Sequence, residues 1–344
     1  MPAVPEPAAP RPLAPAVFPG LDPATHRCHA LHGPERAWPD TNCYVDLLVE
    51  VLAARGFEPR AALGFTLAQD YEGDHFTFFK MPAADLVRLY GLEILELALY
   101  DDLEAHLATQ VRRGRLPLVE LDSFHLPDTR GVSYGRSHAK TTVGVNRIDP
   151  EARRLDYFHN AGLFRLEGDD YDALLKPYRP GDLPLLPYAE IIKFDVGPPA
   201  ADPVATARVL LAEHLARRPR RNPFRAWADE LGRDTEALAR RPEAYFHAYA
   251  FNVLRQFGAN FGCLQAHLAW LSEAGETGLA PAEAAADAIA QEAKLLQFQL
   301  ARAAARNKVA EVGTAVERLA VHHDALMATL LQHDGPAADR RLAA

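Results

Sequence analysis

Residues 38–48 read Trp38-Pro39-Asp40-Thr41-Asn42-Cys43-Tyr44-Val45-Asp46-Leu47-Leu48. A polar Asx/Thr turn gives way here to an apolar run led by a cysteine. Val45, Leu48, Val49 and Leu52 recur at helical spacing, and Gly56 stands where a C-terminal cap is expected, so the pattern predicts a helix over 43–56. The thiol then falls in the first turn, where the partial positive charge of a helix N-terminus favours thiolate over thiol. A lone cysteine is more often a small core residue. Its place at a helix start, with an amide side chain on Asn42 before it, argues for chemistry and makes Asn42 a candidate oxyanion donor.

Working outward, Phe76–Lys80 is strand-like, 82–90 a short helix, 92–99 a strand and 101–113 a helix. Strand patterns follow at 116–122, 140–145, 155–160 and 190–196. After Gly197-Pro198-Pro199 the chain turns rich in Ala, Leu, Arg and Glu. Helices are predicted at 202–217, 223–240, 243–273, 281–309 and 311–333. Eight of the 27 prolines lie in residues 1–23, which reads as a disordered arm over 1–25. No internal repeat is apparent.

The composition is that of an ordinary globular protein, with 49% hydrophobic and 24% charged residues in 344. A net charge of −9 argues against nucleic-acid binding. Three sparse cysteines do not make a disulfide framework. No apolar run reaches the roughly 20 residues that a bilayer demands. No secretory signal is visible, and a cytoplasmic setting, with no nucleic-acid or membrane partner, is the expectation. The cluster His26-Arg27-Cys28-His29 with His32 lacks a distant second half, so no metal site is expected.

His138 opens the strand at 140–145 after a polar loop, Gly131–Ser137, which adds Tyr134 and Arg136 as candidate substrate contacts. Period-two alternation puts Asp156, Phe158 and Asn160 on one face of the next strand, and Tyr157 and His159 on the other. Cysteine on an early helix, histidine on a strand and a polar residue on the next strand is the chain order of papain-like thiol chemistry. Cys43 is then the nucleophile and His138 the base, with Asn160 or Asp156 orienting the imidazole. Glu120 and Asp122 share a strand face and can receive a substrate amine. Arg136 and Lys140 flank His138 and can hold a phosphate or carboxylate. For each of these charged groups a solvated surface role is the plain alternative.

Four segments carry a resemblance: Thr41-Asn42-Cys43, the run Leu118–Thr129, Ser133-Tyr134-Gly135-Arg136-Ser137-His138-Ala139-Lys140-Thr141-Thr142, and Asp156–Gly162. Together they resemble a bacterial family close to the N-terminal domain of butirosin biosynthesis protein H, over about residues 35–175. The resemblance implies a papain-like fold. It also implies transfer of an aminoacyl group from a carrier-protein phosphopantetheine thioester to a small-molecule amine, with no cofactor of its own. It places nucleophile and base on Cys43 and His138. An acyl or aminoacyl carrier protein is the implied partner. The basic cluster Arg217, Arg218, Arg220 and Arg221 is a candidate docking patch for such a carrier. No Gln occurs between residues 1 and 43 to serve as the oxyanion donor of papain-like proteases. A peptidase or amidase is therefore the second reading, and a non-catalytic carrier-binding module the third. The expected fold class is α+β: a papain-like cysteine-nucleophile domain over 26–198, an all-helical domain over 199–335, and a disordered tail over 336–344.

Overall fold

The computed structural model describes residues 14–178, 186–306 and 312–342, with side chains of 304–306 and 334–342 left aside. It is a mixed α+β protein, with a six-stranded sheet followed by a helical C-terminal region. The strands are β1 (Glu93–Glu96), β2 (Leu116–Asp122), β3 (Lys140–Asp149), β4 (Arg154–His159), β5 (Gly162–Glu167) and β6 (Ala189–Lys193). The helices are α1 (Cys43–Ala54), α2 (Ala83–Tyr90), α3 (Leu103–Arg112), α4 (Asp169–Leu175), α5 (Pro203–Ala216), α6 (Pro223–Arg240), α7 (Glu243–Tyr249), α8 (Arg255–Glu273), α9 (Ala280–Arg306) and α10 (Gly313–Leu342). A five-residue π-helix, Ala250–Leu254, joins α7 to α8.

The chain divides into two compact units. One comprises Met1–His26, Ile94–His159 and Leu163–Lys193, and the other Arg27–Glu93, Asn160–Gly162 and Phe194–Ala344. These packing units draw on several stretches of chain each, unlike the sequence segments 26–198 and 199–335 expected above. The reason lies in the anchors of the early segment. The indole N–H of Trp38 donates to the Ala290 carbonyl (2.9 Å), and Arg36 donates to the Gly262 carbonyl (2.7 Å). Gly258 on α8 permits the approach, since a Cβ there would stand 2.6 Å from the Trp38 ring. Residues 27–93 therefore fold with the C-terminal helices.

In the first unit the strand order is β1-β6-β2-β3-β4-β5. β2 pairs antiparallel with β6 and with β3, and β3 with β4. Val119, Leu121, Val143, Val145, Leu155 and Tyr157 pack with α3 and α4 into one core. The expected disordered arm is corrected in part. Residues 1–13 lie outside the described residues, but Val17 N–H donates to Asn146 O (2.8 Å) and Phe18 N–H to Asn146 Oδ1 (2.8 Å). The Phe18 ring meets Phe158 edge-on at 5.8 Å. Two apolar side chains in a proline-rich segment suffice to seat it. Phe76–Lys80 forms no strand; only an isolated bridge joins Tyr71 and Phe76. α10 runs to Leu342, through most of the expected tail.

In the second unit α1 is buried from Tyr44 to Leu52, acidic residues included. Asp46 accepts from both the N–H (2.9 Å) and the hydroxyl (2.5 Å) of Thr41, and so fixes the turn that precedes Cys43. Burial pushes the Asp46 carboxyl up to about 6, against the pull of His32 and of Thr41 in the other direction. An acid held higher in the folded state takes up protons on folding between its unfolded value of 3.8 and about 6. Its contribution to stability therefore falls as pH rises through that window, by up to about 3 kcal/mol. Urea unfolding followed from about pH 4 to about pH 7 is expected to show this slope, and Asp46→Asn to flatten it. A slope unchanged in the variant would assign it to other groups.

Candidate functional site

The β2–β3 register sets Asp122 opposite Lys140 and Glu120 opposite Thr142. Alternation then carries Glu120, Asp122 and Lys140 to the face away from Leu121 and Val119, which are core. They line a cavity of about 450 Å³ in the first unit, together with His138, Tyr178 and Tyr188. Within it Lys140 pairs with Glu120 at 2.6 Å, and the Tyr188 hydroxyl donates to Glu190 at 2.8 Å. Burial and then that carboxylate push the Tyr188 phenol up.

Asp122 organises this end of the sheet. One carboxylate oxygen accepts the N–H groups of Phe124 (3.0 Å) and Ala139 (3.3 Å). The other meets His138 Nδ1 at 2.5 Å. Burial works to raise the Asp122 carboxyl, but the His138 hydrogen bond and the two backbone donors outweigh it and hold the group below its usual value. A carboxylate can only accept, so Nδ1 carries the proton and the lone pair of the neutral ring sits on Nε2. The Phe124 ring lies flat against the imidazole, with centroids 4.5 Å apart and planes 12° apart. The His138 side chain is 74% exposed. Orientation is thus fixed on one side while Nε2 faces open space.

The carboxylate that orients His138 is therefore Asp122, a residue that the sequence reading gave to substrate. The two residues expected in that role are used elsewhere. Asp156 is 1% exposed and bound to Arg147 (3.3 Å) and Arg165 (2.6 Å). Asn160 sits in the left-handed region at φ 45°, turning β4 into β5. Tyr134 donates to Asp170 (2.9 Å), and Arg136 to the Gly131 carbonyl within its own loop (3.0 Å).

A second histidine, which the reading passed over, has a fuller set of partners. His159 Nδ1 meets Asp128 (2.6 Å), its Nε2 meets the Thr141 hydroxyl (2.7 Å), and Tyr157 donates to the same carboxylate (2.5 Å). The connectivity is that of an acid–base relay, yet the ring is buried. Here it locks the Asp128 turn to the sheet. Its only signal in the sequence was the alternation that set His159 opposite Asp156.

Cys43 belongs to the second unit, at the first residue of α1 and partly exposed. Of the other cysteines, Cys28 is exposed, and burial pushes the Cys263 thiol up to about 12. The Asn42 side chain is the helix cap. Its oxygen accepts from Tyr44 N–H (3.2 Å) and Val45 N–H (2.9 Å), and its nitrogen donates to the Phe79 carbonyl (3.0 Å). Asn42 thus serves as the helix cap, and the oxyanion role expected of it would fall to the second hydrogen of its Nδ2. The Asp46 N–H donates to the Asn42 carbonyl, leaving the backbone N–H of Cys43 as the first-turn donor beside the thiol.

The members of the basic cluster have different partners. Arg218 donates to the Leu215 carbonyl (2.8 Å), and Arg221 pairs with Asp229 (2.7 Å). Arg217 donates to His214 (3.1 Å), while Arg220 is exposed. Among the described residues, no three His, Cys, Asp or Glu side chains are grouped to hold a metal ion. Nor, among these residues, is any helix long and apolar enough to cross a membrane.

Fold and site together define a two-unit α+β protein with a carboxylate-oriented histidine at an open cavity. Two family models match the chain, the DUF1839 N-terminal domain over residues 27–194 and the DUF1839 C-terminal domain over residues 200–332. The chain belongs to the DUF1839 family. No curated protein matches it.

Two substitutions separate the roles of the acids. Asp156→Ala strands the buried Arg147 and is expected to cost about 3 kcal/mol in urea unfolding. Asp122→Asn touches an exposed pair and is expected to stay within about 1 kcal/mol. An unfolding midpoint unmoved by Asp156→Ala would refute the structural role given to it.

Proposed function

We propose that this protein is a cysteine-dependent acyltransferase that takes an aminoacyl group from a carrier-protein phosphopantetheine thioester and delivers it to an amine. The observation that carries the reading is the Asp122–His138 pair, with Nδ1 held and Nε2 turned to an open cavity. It is supported by a thiol at the start of a capped helix, and by the resemblance to the N-terminal domain of butirosin biosynthesis protein H.

In this scheme His138 Nε2 takes the proton of the Cys43 thiol, and the thiolate attacks the thioester carbonyl. The carbon–sulfur bond to the phosphopantetheine breaks, and its sulfur leaves with the proton from His138. The acceptor amine then attacks the acyl-Cys43 thioester. Its proton passes to Nε2, and the bond to Cys43 Sγ breaks. Asp122 keeps the imidazole in one tautomer and steadies the charged ring in both halves. Glu120, beside Lys140, gives the cavity a carboxylate for an incoming ammonium.

A single backbone donor beside Cys43 makes a modest oxyanion hole. Exchange between thioesters is nearly neutral in energy, whereas amide hydrolysis has a higher barrier to lower. Acyl transfer is therefore favoured over a peptidase.

Mixing the protein with a charged aminoacyl carrier protein is expected to add the aminoacyl mass to Cys43, as read by intact mass spectrometry. Cys43→Ala should give no adduct, and His138→Ala should slow its formation by about 10²–10⁴-fold. Binding of the carrier without any adduct on the wild type at any time would leave a recognition module and reject the enzyme. Cleavage of a free peptide would point to the peptidase instead.

A further inference from the structure

The turn that leads into Cys43 is flanked, within the second unit, by two cations on neighbouring helices. α8 and α9 run antiparallel, with Gln265 bonded to Glu283 (3.2 Å) and Gly262 lying against Ala290. The same register brings Arg255 of α8 and Lys294 of α9 to one end of the pair. Each is half-buried and held in one place. The Lys294 ammonium stands 4.1 Å over the Trp38 ring, which is itself tied to the Ala290 carbonyl. Arg255 donates from Nε to the Thr41 carbonyl (2.8 Å), and its guanidinium lies 5.1 Å over the Phe251 ring. Thr41 stands two residues before Cys43.

Among the described residues, neither cation forms an ion pair with a carboxylate, and of the Arg255 nitrogens only Nε has a hydrogen-bond acceptor. That is out of keeping with a chain of net charge −9, in which Arg221, Arg225 and Arg233 each find an acid. Burial and then the charge of Arg255 push the Lys294 ammonium below its usual value, with the exposed Asp40 pulling the other way. Two like charges held as neighbours repel, and an anion between them offsets that cost. Apolar surface adjoins both. Lys294 and Phe298 are four residues apart on α9 and share a face, as do Phe251 and Arg255. Phe251, Leu295 and Phe298 are 48%, 56% and 61% exposed. Phe251 belongs to the π-helix that leads into α8, a widened turn of a kind that recurs at functional sites.

We infer that Arg255 and Lys294 seat the phosphate of a carrier's phosphopantetheine arm, with its methyl groups against Phe251 and Phe298 and its thioester end directed along the Thr41 turn to Cys43. Fixed cations with free N–H donors suit a phosphate ester. The aromatic flank suits an ester with an apolar chain better than a bare anion. The identity of the ligand rests on the acyl-transfer reading, whereas the anion seat does not.

Isothermal titration of the full Cys43→Ala chain tests this with three probes: phosphopantetheine, pantetheine and inorganic phosphate. Phosphopantetheine is expected to bind saturably, and each of the others at least about tenfold more weakly. Lys294→Gln should weaken phosphopantetheine by about tenfold, and Arg255→Gln by a similar factor. Arg112→Gln, which removes the same charge from α3 in the first unit, should leave it unchanged. If Arg255→Gln fails to fold, Lys294→Gln and the probe comparison still decide. Absence of saturable binding would overturn the inference. So would equal affinity for pantetheine, equal affinity for inorganic phosphate, or an equal loss in Arg112→Gln, which would mean diffuse charge attraction. An aminoacyl adduct on wild-type Cys43 without this binding would overturn the seat and spare the transfer. Binding that needs Lys294, with no adduct on the wild type, would uphold the seat and reject the transfer.

Discussion

The pairing of β2 with β3 is the constraint on which the first unit depends. Asp122 faces Lys140, and Leu121 faces Thr141. A slip of one residue would exchange the two faces along the whole strand, sending Glu120 and Asp122 into the core and exposing Val119 and Leu121. The apolar residues of the core face, closed by α3 and α4, exclude that slip. The charged face is thus held in place by the hydrophobic one. His138 inherits its position from the same register, because Asp122 holds both the Ala139 N–H and the imidazole. Backbone hydrogen bonds aim the carboxylate, and the carboxylate aims the ring.

The start of α1 is held by a comparable economy of contacts. Trp38, Thr41 and Asn42 each bond to a different element or turn: Trp38 to α9, Thr41 to Asp46, and Asn42 to its own helix and to Phe79. A cap of this kind is worth about 1 kcal/mol in a typical helix, and the buried amide bond to Phe79 adds to it. Arg255 on α8 donates to the Thr41 carbonyl at 2.8 Å. The residue before the thiol is therefore fixed by side chain and backbone alike, and Cys43 stands at the end of a rigid helix.

Much of this was legible in the sequence, for identifiable reasons. α2, α3, β2 and the helices from α5 to α9 carry clear periodicity and end signals such as Gly91 or Pro223, so their limits fall within a few residues. The helix start at Cys43 was readable from Asn42. Partners were harder. Alternation tells which face a residue takes, but not which charge arrives there. Asp156 and Asp122 both stand on strands near His138 in sequence. A register shift between Val145 and Arg147 brings Arg147 onto Asp156, and β5 adds Arg165. Those are tertiary events without a local signature. The arginines at 217–221 show the same limit. The run of like charge does not tell that Arg221 will meet Asp229 of the next helix while Arg218 turns back to the Leu215 carbonyl.

The supply of hydrogen-bond donors bears on the chemistry that Cys43 can support. Four N–H groups are unpaired at the start of any helix. Here those of Tyr44 and Val45 go to the Asn42 side chain, while Asp46 N–H makes the first bond of the helix proper, to the Asn42 carbonyl. A cap that binds its helix this fully stabilises the fold at the expense of the anion site that the same donors could form. A papain-like protease avoids the conflict by bringing in a separate amide from upstream, and this chain has no Gln in that stretch. With the Cys43 N–H as the donor beside the thiol, the stabilisation available to a tetrahedral oxyanion is small, so a substrate with a good leaving group suits such a site best. A thioester has one, since a thiolate leaves far more readily than an amine anion. On the proposed reading, the use of Asn42 as a cap, more than the presence of the thiol, is what favours transfer over proteolysis.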